Sequence, residues 1–218
     1  MKIAWKGVMV LSVRLSLKQL DQKWVYPTYL NMAEQILHKT GIHDGKCLIV
    51  SAGSGLLGLA LAQISDLQLY LLENSQEALS QARKNIAKSA NQNQLHLIKG
   101  STYELQFPSL SMDLVISRSS VFFQQNQVQS FQEIYRVLAS SGVAYIGGGF
   151  WNGPASKTIE EIINAVDPKL MAKDVWRKSI ASLKKKLDEA DIGYYEINYS
   201  KEGLWIMIRK PVEQKKIF

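Results

Sequence analysis

The sequence predicts an α/β fold: a Rossmann-like, doubly wound, mostly parallel sheet with an antiparallel edge strand. Three observations predict it. Short apolar runs alternate with helical patterns from about residue 24 to residue 150, the alternation of a parallel sheet with right-handed crossovers. The first of those runs breaks into a glycine turn, Gly53-Ser54-Gly55-Leu56-Leu57-Gly58, that opens a helix. Two last runs, 192–198 and 204–209, flank a short polar connection and read as a hairpin that finishes the sheet.

Taken in order, residues 24–40 carry Leu30, Ala33, Ile36 and Leu37 at helical spacing. Proline suits a first helical turn, so this helix is expected to begin near Pro27-Thr28. Gly41 ends it, and Asp44-Gly45 marks a turn into a strand at 47–50 (Cys-Leu-Ile-Val). A helix then starts at Leu56, and a second strand, 67–72, ends on Glu73. Ser75 is the expected N-cap of a helix over 76–90, with Glu77 in its first turn. Residues 95–98 form a third strand closed by Gly100, and 112–117 a fourth. Val128, Phe131, Ile134, Tyr135 and Leu138 line one side of a helix over 127–138. Ser141-Gly142 turns into a fifth strand, 143–146, which runs into Gly147-Gly148-Gly149. Helical patterns follow at about 155–165 and 173–190. In the second, Val175, Trp176, Ile180, Leu183 and Leu187 share a face and Lys184-Lys185-Lys186 lies on the wet side.

A chain of 218 residues suits one α/β domain with small caps. With 46% hydrophobic and 21% charged residues it has an ordinary globular composition. No apolar stretch reaches the roughly 18–20 residues that span a bilayer. The basic, partly apolar start is interrupted by Arg14 and Lys18 and lacks a small-residue cleavage site, so it reads as mature chain; a targeting or membrane-surface role is the alternative. The net charge is +7 and sits at the ends. Residues 1–23 hold five Lys or Arg against one Asp, and residues 169–218 hold twelve against seven acids. No nucleic-acid module accompanies this basic periphery, which reads as solvated surface. One cysteine, Cys47, cannot form an internal disulfide and points to a reducing, cytoplasmic setting. Three histidines, His38, His43 and His96, show no ligand spacing, so no metal site is expected.

The chemistry is concentrated in the strand–glycine turn–helix–strand–acid unit over 47–73. Glycines allow the tight turn and close approach of backbone to a ligand, and the new helix aims free N–H groups at it. Glu73 lies twenty positions after Gly53, at a strand end, where an acid can accept hydrogen bonds from ribose hydroxyls. The unit therefore points to an adenosine-containing cofactor.

From about Tyr26 to about Lys210 the chain resembles class I S-adenosylmethionine-dependent methyltransferases, especially the small-molecule type. Besides the glycine turn, the resemblance rests on Glu73 with the following helix, on Asp113-Leu114-Val115-Ile116-Ser117-Arg118, and on Glu133-Ile134-Tyr135-Arg136-Val137-Leu138 followed by Ser141-Gly142. It implies a seven-stranded sheet with its last strand antiparallel, S-adenosylmethionine as cofactor and a small-molecule acceptor. It implies one domain over 1–218: an N-terminal helical cap (1–40), a cofactor-binding core (41–150), a helical cap (151–190) and a closing hairpin (191–218). By position, Ser51, Gly53 and Gly55 face the methionine and ribose, Glu73 binds the ribose hydroxyls, and Asn74 lies beside the adenine. Ser101 and Thr102 border the adenine. Ser117 and Arg118 sit where cofactor and acceptor meet, and Tyr29 reaches the cofactor's carboxylate. Arg118 and Tyr29 are the candidates for a catalytic role. Phe122, Phe123 and Trp151 wall the acceptor side. The plainer alternatives are rim ion pairing for Arg118 and helix packing for Tyr26 and Tyr29; Lys99 reads as surface charge.

The chain departs from the family pattern at three places. Ile49 stands where an acid is usual, Ser51 replaces the first glycine, and Ser101 replaces an Asp. Uncompensated, each change is expected to weaken cofactor binding by about 1–3 kcal/mol. Three functions therefore remain open: an active small-molecule methyltransferase, a methyltransferase fold that serves as a non-catalytic binding or assembly module, and a dinucleotide oxidoreductase built on the same GxGxxG and Glu73. The third lacks hydride-transfer residues downstream.

Overall fold

The structure, a computed structural model, describes residues 22–118, 126–148, 173–200 and 203–212. Its strands are β1 (Asp44–Val50), β2 (Asp66–Glu73), β3 (Leu95–Lys99), β4 (Met112–Arg118), β5 (Leu138–Gly148), β6 (Tyr195–Ser200) and β7 (Gly203–Arg209). They form one sheet in the order β3-β2-β1-β4-β5-β7-β6. Neighbours from β3 to β5 pair in parallel. Strand β7 pairs antiparallel with β5 and with the edge strand β6. The sheet thus has the seven strands, the largely parallel pairing and the antiparallel edge that the sequence predicts.

Helices cover both faces. On one lie α1 (Gln22–Thr40), α2 (Leu56–Ile64) and α3 (Gln76–Ile86). Met32, Ile36, Leu57 and Leu61 pack there against Ile49, Leu71, Leu114 and Tyr145. On the other lie α4 (Gln127–Val137) and α5 (Lys173–Glu189). Phe131, Ile134, Leu183 and Leu187 pack there against Val50, Val115, Ala144 and Ile206. Burying large apolar side chains from both helix layers is the main stabilising term, about 1.5–3 kcal/mol each. The central strands are buried on both sides, which is why β1 and β4 read as continuous apolar runs.

Several boundaries differ from expectation for local reasons. Helix α1 contains Pro27 in its second turn, where it removes one backbone bond near a helix end. Its other end is as expected: Gly41 has φ 73° and donates to the Leu37 carbonyl. Asp44-Gly45 is strand and not turn, because β1 continues its pairing with β2 to Asp66. The Asp113 carboxylate receives the Lys46 N–H at 2.7 Å, and a Cβ on Gly45 would lie 2.4 Å from it. Ser75 caps α3 as expected, accepting from the Ala78 N–H at 3.3 Å. That helix stops at Ile86, where Lys88 and Ser89 donate to carbonyls three residues back. Ser141-Gly142 lies inside β5, in an irregularity that lets Met112 pair Leu138 and Leu114 pair Val143. Asp191, at φ 57°, and the Ile192 N–H, bonded to the Leu187 carbonyl, finish α5, so β6 begins only at Tyr195. The helix expected at 155–165 lies outside the described residues.

One polar cluster pins the long β3–β4 connection. Arg136 donates from Nη2 to the Leu105 carbonyl, and from Nη1 to the Phe107 carbonyl and the Ser109 hydroxyl. It also grips Glu133 through Nε at 2.7 Å and Nη2 at 2.9 Å. Glu133 in turn accepts the Leu105 N–H at 2.7 Å. The hydrogen bonds from Arg136, with the Leu105 N–H and the cation's charge, hold the Glu133 carboxyl below its ordinary pKa against the opposing effect of burial.

A lowered folded-state pKa means stability that is present above the unfolded value and lost as pH falls through the folded one. Glu133→Gln is therefore expected to destabilise the protein at pH 7 by about 1–3 kcal/mol. In urea melts the gap from wild type should narrow as pH falls below the ordinary glutamate value of about 4.3 and close once Glu133 is protonated in the folded protein. A gap that stays constant down to acid would show that its charge contributes nothing.

Candidate cofactor site at the C-terminal edge of the sheet

In a doubly wound sheet, ligands bind beyond the C-terminal strand ends, where the strand order reverses. Here the reversal lies between β1 and β4. Ser51, Gly53, Gly55, Glu73, Ser117 and Arg118 lie at or just beyond the C-terminal ends of β1, β2 and β4 that flank it.

The glycine turn leaves β1 through Ser51, at φ 54°, with Gly53 at 59° and Gly55 at 78°. Ser51 thus occupies the left-handed region that glycine tolerates better. The Ala52 N–H bonds the Leu72 carbonyl and ties the turn to β2. Asn85, on α3, donates from its amide to the Ser54 carbonyl at 2.9 Å. Side chains at two of the glycines would have different effects. A Cβ on Gly58 would sit 2.9 Å from Leu71, so this glycine sets how closely α2 packs on β2. A Cβ on Gly53 would meet nothing within 4 Å. The backbone there faces open space.

Glu73 joins the parts. Its Oε2 accepts the Gly53 N–H at 2.8 Å, and its Oε1 accepts the N–H groups of Asn74 and Ser75 at 2.8 and 2.9 Å. Each carboxylate oxygen has about two acceptor positions, so Oε1 is filled and Oε2 keeps one. Asn74 is exposed beside it, and Lys99, paired with Glu73 across β2 and β3, is exposed as expected.

Past β3, Ser101 bridges to Glu104 and is half-buried, and Thr102 is buried. The Glu133–Arg136 cluster holds the far part of this loop. At the end of β4, neighbouring residues face opposite ways. Ser117 is fully buried on the α4 side, level with Val50 and Ile146. Arg118 lies on the α1 side, where its Nη1 donates to the Tyr29 hydroxyl at 3.2 Å and its guanidinium carbon stands 5.6 Å from the Tyr29 ring centre. The two candidates for catalysis therefore touch each other. Tyr26 is turned to packing: its hydroxyl donates to Gln63 at 3.0 Å, and burial raises its pKa. Phe122, Phe123 and Trp151 lie outside the described residues.

Ile49 is buried on the same face as Ile116, its partner in β4, among α1 and α2 side chains. Cys47 is fully buried, and burial together with the nearby Asp113 pushes its thiol pKa up, so the thiol stays protonated and inert. Two features escaped the sequence reading. Asn85 fastens the glycine turn. Trp205, on β7, lies over Gly147, where a Cβ would be 2.3 Å from the indole, and stacks on Tyr145 at 4.7 Å. A glycine run at a strand end signals such a close approach.

Comparison with known proteins agrees with this geometry. A family model described as a methyltransferase domain matches residues 48–146. A solved structure from Methanococcus maripaludis, described as a candidate S-adenosyl-L-methionine-dependent methyltransferase, superposes with a TM-score of 0.77 at 32% identity. The match covers 97% of this chain and 95% of that one. The chain belongs to the class I S-adenosylmethionine-dependent methyltransferase family. A methyltransferase structure from Aquifex aeolicus shares the fold, with a TM-score of 0.62 at 16% identity over 89% of this chain and 97% of that one. Among curated proteins, a sterol 24-C-methyltransferase of Gibberella zeae is 29% identical over 109 residues, 50% of this chain and 29% of its own length. A chloroplastic 2-methyl-6-phytyl-1,4-hydroquinone methyltransferase of Oryza sativa is 28% identical over 107 residues, 49% of this chain and 31% of its own. The matches thus span about three-tenths of those curated relatives.

The residues present fit the family's cofactor. Open space over Gly53 admits a ligand against bare backbone, and Glu73 offers a spare acceptor beside it. Glu73→Gln would turn an acceptor into a donor facing N–H groups. Amide hydrogen exchange at Gly53, Asn74 or Ser75 is expected to quicken by about tenfold or more, as one hydrogen bond of roughly 1.4 kcal/mol is lost. Unchanged protection at all three would contradict the carboxylate's role in holding the turn.

Proposed function

We propose that this chain transfers the methyl group of S-adenosylmethionine to a small-molecule acceptor. The observation that carries the reading is the Glu73–Gly53 link, which joins the acid at the end of β2 to the glycine turn across twenty residues at the expected ligand edge. The relation to sterol and hydroquinone methyltransferases supports a small-molecule acceptor.

The bound sulfonium supplies a methyl group that is already activated, so the protein's work is binding, alignment and exclusion of water. Glu73 takes a ribose hydroxyl on its spare acceptor position. Gly53 and Gly55 pass close to the methionine and ribose, next to Ser51. Asn74, Ser101 and Thr102 border the adenine. Ser117, Arg118 and Tyr29 stand where cofactor and acceptor meet, and the aromatic face of Tyr29 offers favourable electrostatics to a cation. The reading treats the chain as one domain, with core 41–150, caps 1–40 and 151–190 and closing segment 191–218. It sets the protein in the cytoplasm, supported by a single buried cysteine.

A second reading is favoured by Ile49. This position carries no charge and is buried, so it makes no hydrogen bond to a cofactor amino group. A methyltransferase fold kept as a non-catalytic binding module is consistent with that.

Calorimetric titration separates the two. S-adenosylhomocysteine is expected to bind the wild type, and Glu73→Ala to weaken binding about tenfold or more. Absence of heat, with a melting temperature unchanged at millimolar ligand, would favour the non-catalytic module. Binding that survives Glu73→Ala at full strength would remove Glu73 from the ribose site.

A further inference from the structure

The molecule has two half-buried arginines at strand or helix ends on the described surface, and they differ in what they hold. Arg136 is saturated: a carboxylate, two backbone carbonyls and a hydroxyl engage its guanidinium. Arg118 is not. Among the described residues its guanidinium makes one hydrogen bond, to the Tyr29 hydroxyl through Nη1, and no ion pair. A guanidinium carries five N–H donors in a rigid fork. The Tyr29 contact uses one and fixes the plane, leaving the rest of the fork directed by that contact.

Among the described residues no acid pairs with it. Ile116, two residues back on the same face, pairs with Ile49 on β1. Ile49 is thus one strand away and two rows below Arg118, at the position where the family pattern has an acid. Across the sheet Arg118 pairs with Gly147, and Gly147 pairs with Trp205. Those steps of about 4.8 Å set Trp205 roughly 10 Å from Arg118 in the same row. The row therefore runs cation, glycine, indole, with the Tyr29 ring above the cation. Among the described residues, aromatic groups and bare backbone lie in this row, and none of these carries a negative charge.

We propose that Arg118, oriented by Tyr29, receives a carboxylate of the bound molecule. The proposal rests on the methyltransferase reading and refines it. A carboxylate matches the flat guanidinium fork two bonds at a time. Two molecules can bring one to this edge: the cofactor, through its amino-acid end, or an acidic acceptor. The missing acid at position 49 and the cation at 118, which has no ion pair among the described residues, then belong together, because the side chain at 49 leaves Arg118 open to an anion. Arg118 is a binding and specificity residue here, and Tyr29 is its positioning residue.

The test uses the full chain and four proteins: wild type, Arg118→Gln, Arg118→Lys and Tyr29→Phe. Each is titrated calorimetrically with S-adenosylhomocysteine and with 5′-methylthioadenosine, which keeps the nucleoside and lacks the carboxylate. Each is then loaded with S-adenosylhomocysteine and titrated with benzoate and with hexanoate. If the cofactor supplies the carboxylate, Arg118→Gln weakens S-adenosylhomocysteine about tenfold or more and leaves methylthioadenosine at wild-type affinity. If the acceptor supplies it, Arg118→Gln leaves both nucleosides unchanged, while a carboxylate binds the loaded wild type and binds the loaded variant about tenfold more weakly or worse. In either case Arg118→Lys recovers part of the loss and Tyr29→Phe gives a smaller loss in the same titration. Arg118→Gln with wild-type melting behaviour and wild-type affinity for every probe would overturn the proposal. A wild type that binds neither nucleoside would instead overturn the methyltransferase reading itself.

Discussion

Three backbone N–H groups converge on the Glu73 carboxylate, and the arrangement of the cofactor edge depends on that convergence. One comes from the glycine turn after β1, and two come from the entry to α3. A single side chain thus ties two consecutive strand–helix units together at their ligand-facing ends. Charge-assisted bonds of this kind are about twice as strong as neutral ones. They also satisfy donors that a helix start and a tight turn would otherwise leave to water. The left-handed Ser51, Gly53 and Gly55 keep their conformation because this anchor, the Ala52–Leu72 bond and the Asn85–Ser54 bond hold the turn from different directions.

A second anchor, Glu133 with Arg136, works on the other flank. It leaves the site itself free and fixes the loop after β3 through backbone groups of Leu105 and Phe107. The two carboxylates therefore play parallel parts. Glu73 retains an unfilled acceptor position and faces the ligand edge, whereas Glu133 is absorbed in internal bonds and has its pKa lowered by them. Arg118 and Arg136 repeat the contrast among the cations. Of these four, Glu73 and Arg118 keep spare hydrogen-bonding capacity at the candidate cofactor edge, whereas Glu133 and Arg136 are taken up by internal bonds.

What was legible in the sequence follows from how local each feature is. The Gly53–Glu73 unit was readable because strand, turn, helix and strand are consecutive, and their spacing alone brings the acid to the turn. The Ser75 cap was readable for the same reason. Strand limits were less so: Asp44-Gly45 has the chemistry of a turn, but the register with Asp66 draws it into β1. Ser141-Gly142 likewise sits within β5, because the strand absorbs the extra residues opposite β4. Arg136 falls within a family-like signature, yet two of its partners are backbone carbonyls, which leave no trace in residue identity. Trp205 over Gly147 and Arg118 against Tyr29 join residues far apart in the chain, so only the folded sheet reveals them. Ile49, conspicuous in the sequence as a departure, gains meaning once Arg118 is seen two rows above it on the same face.

The central claim is that the cofactor edge is organised around Glu73. The most direct measurement is an amide NMR titration of the isotope-labelled chain with S-adenosylhomocysteine. The account predicts that the largest shifts fall at Gly53, Asn74 and Ser75, whose N–H groups bond the carboxylate proposed to take the ribose. Saturable binding with shifts confined to other strand ends, and none at these three amides, would contradict it.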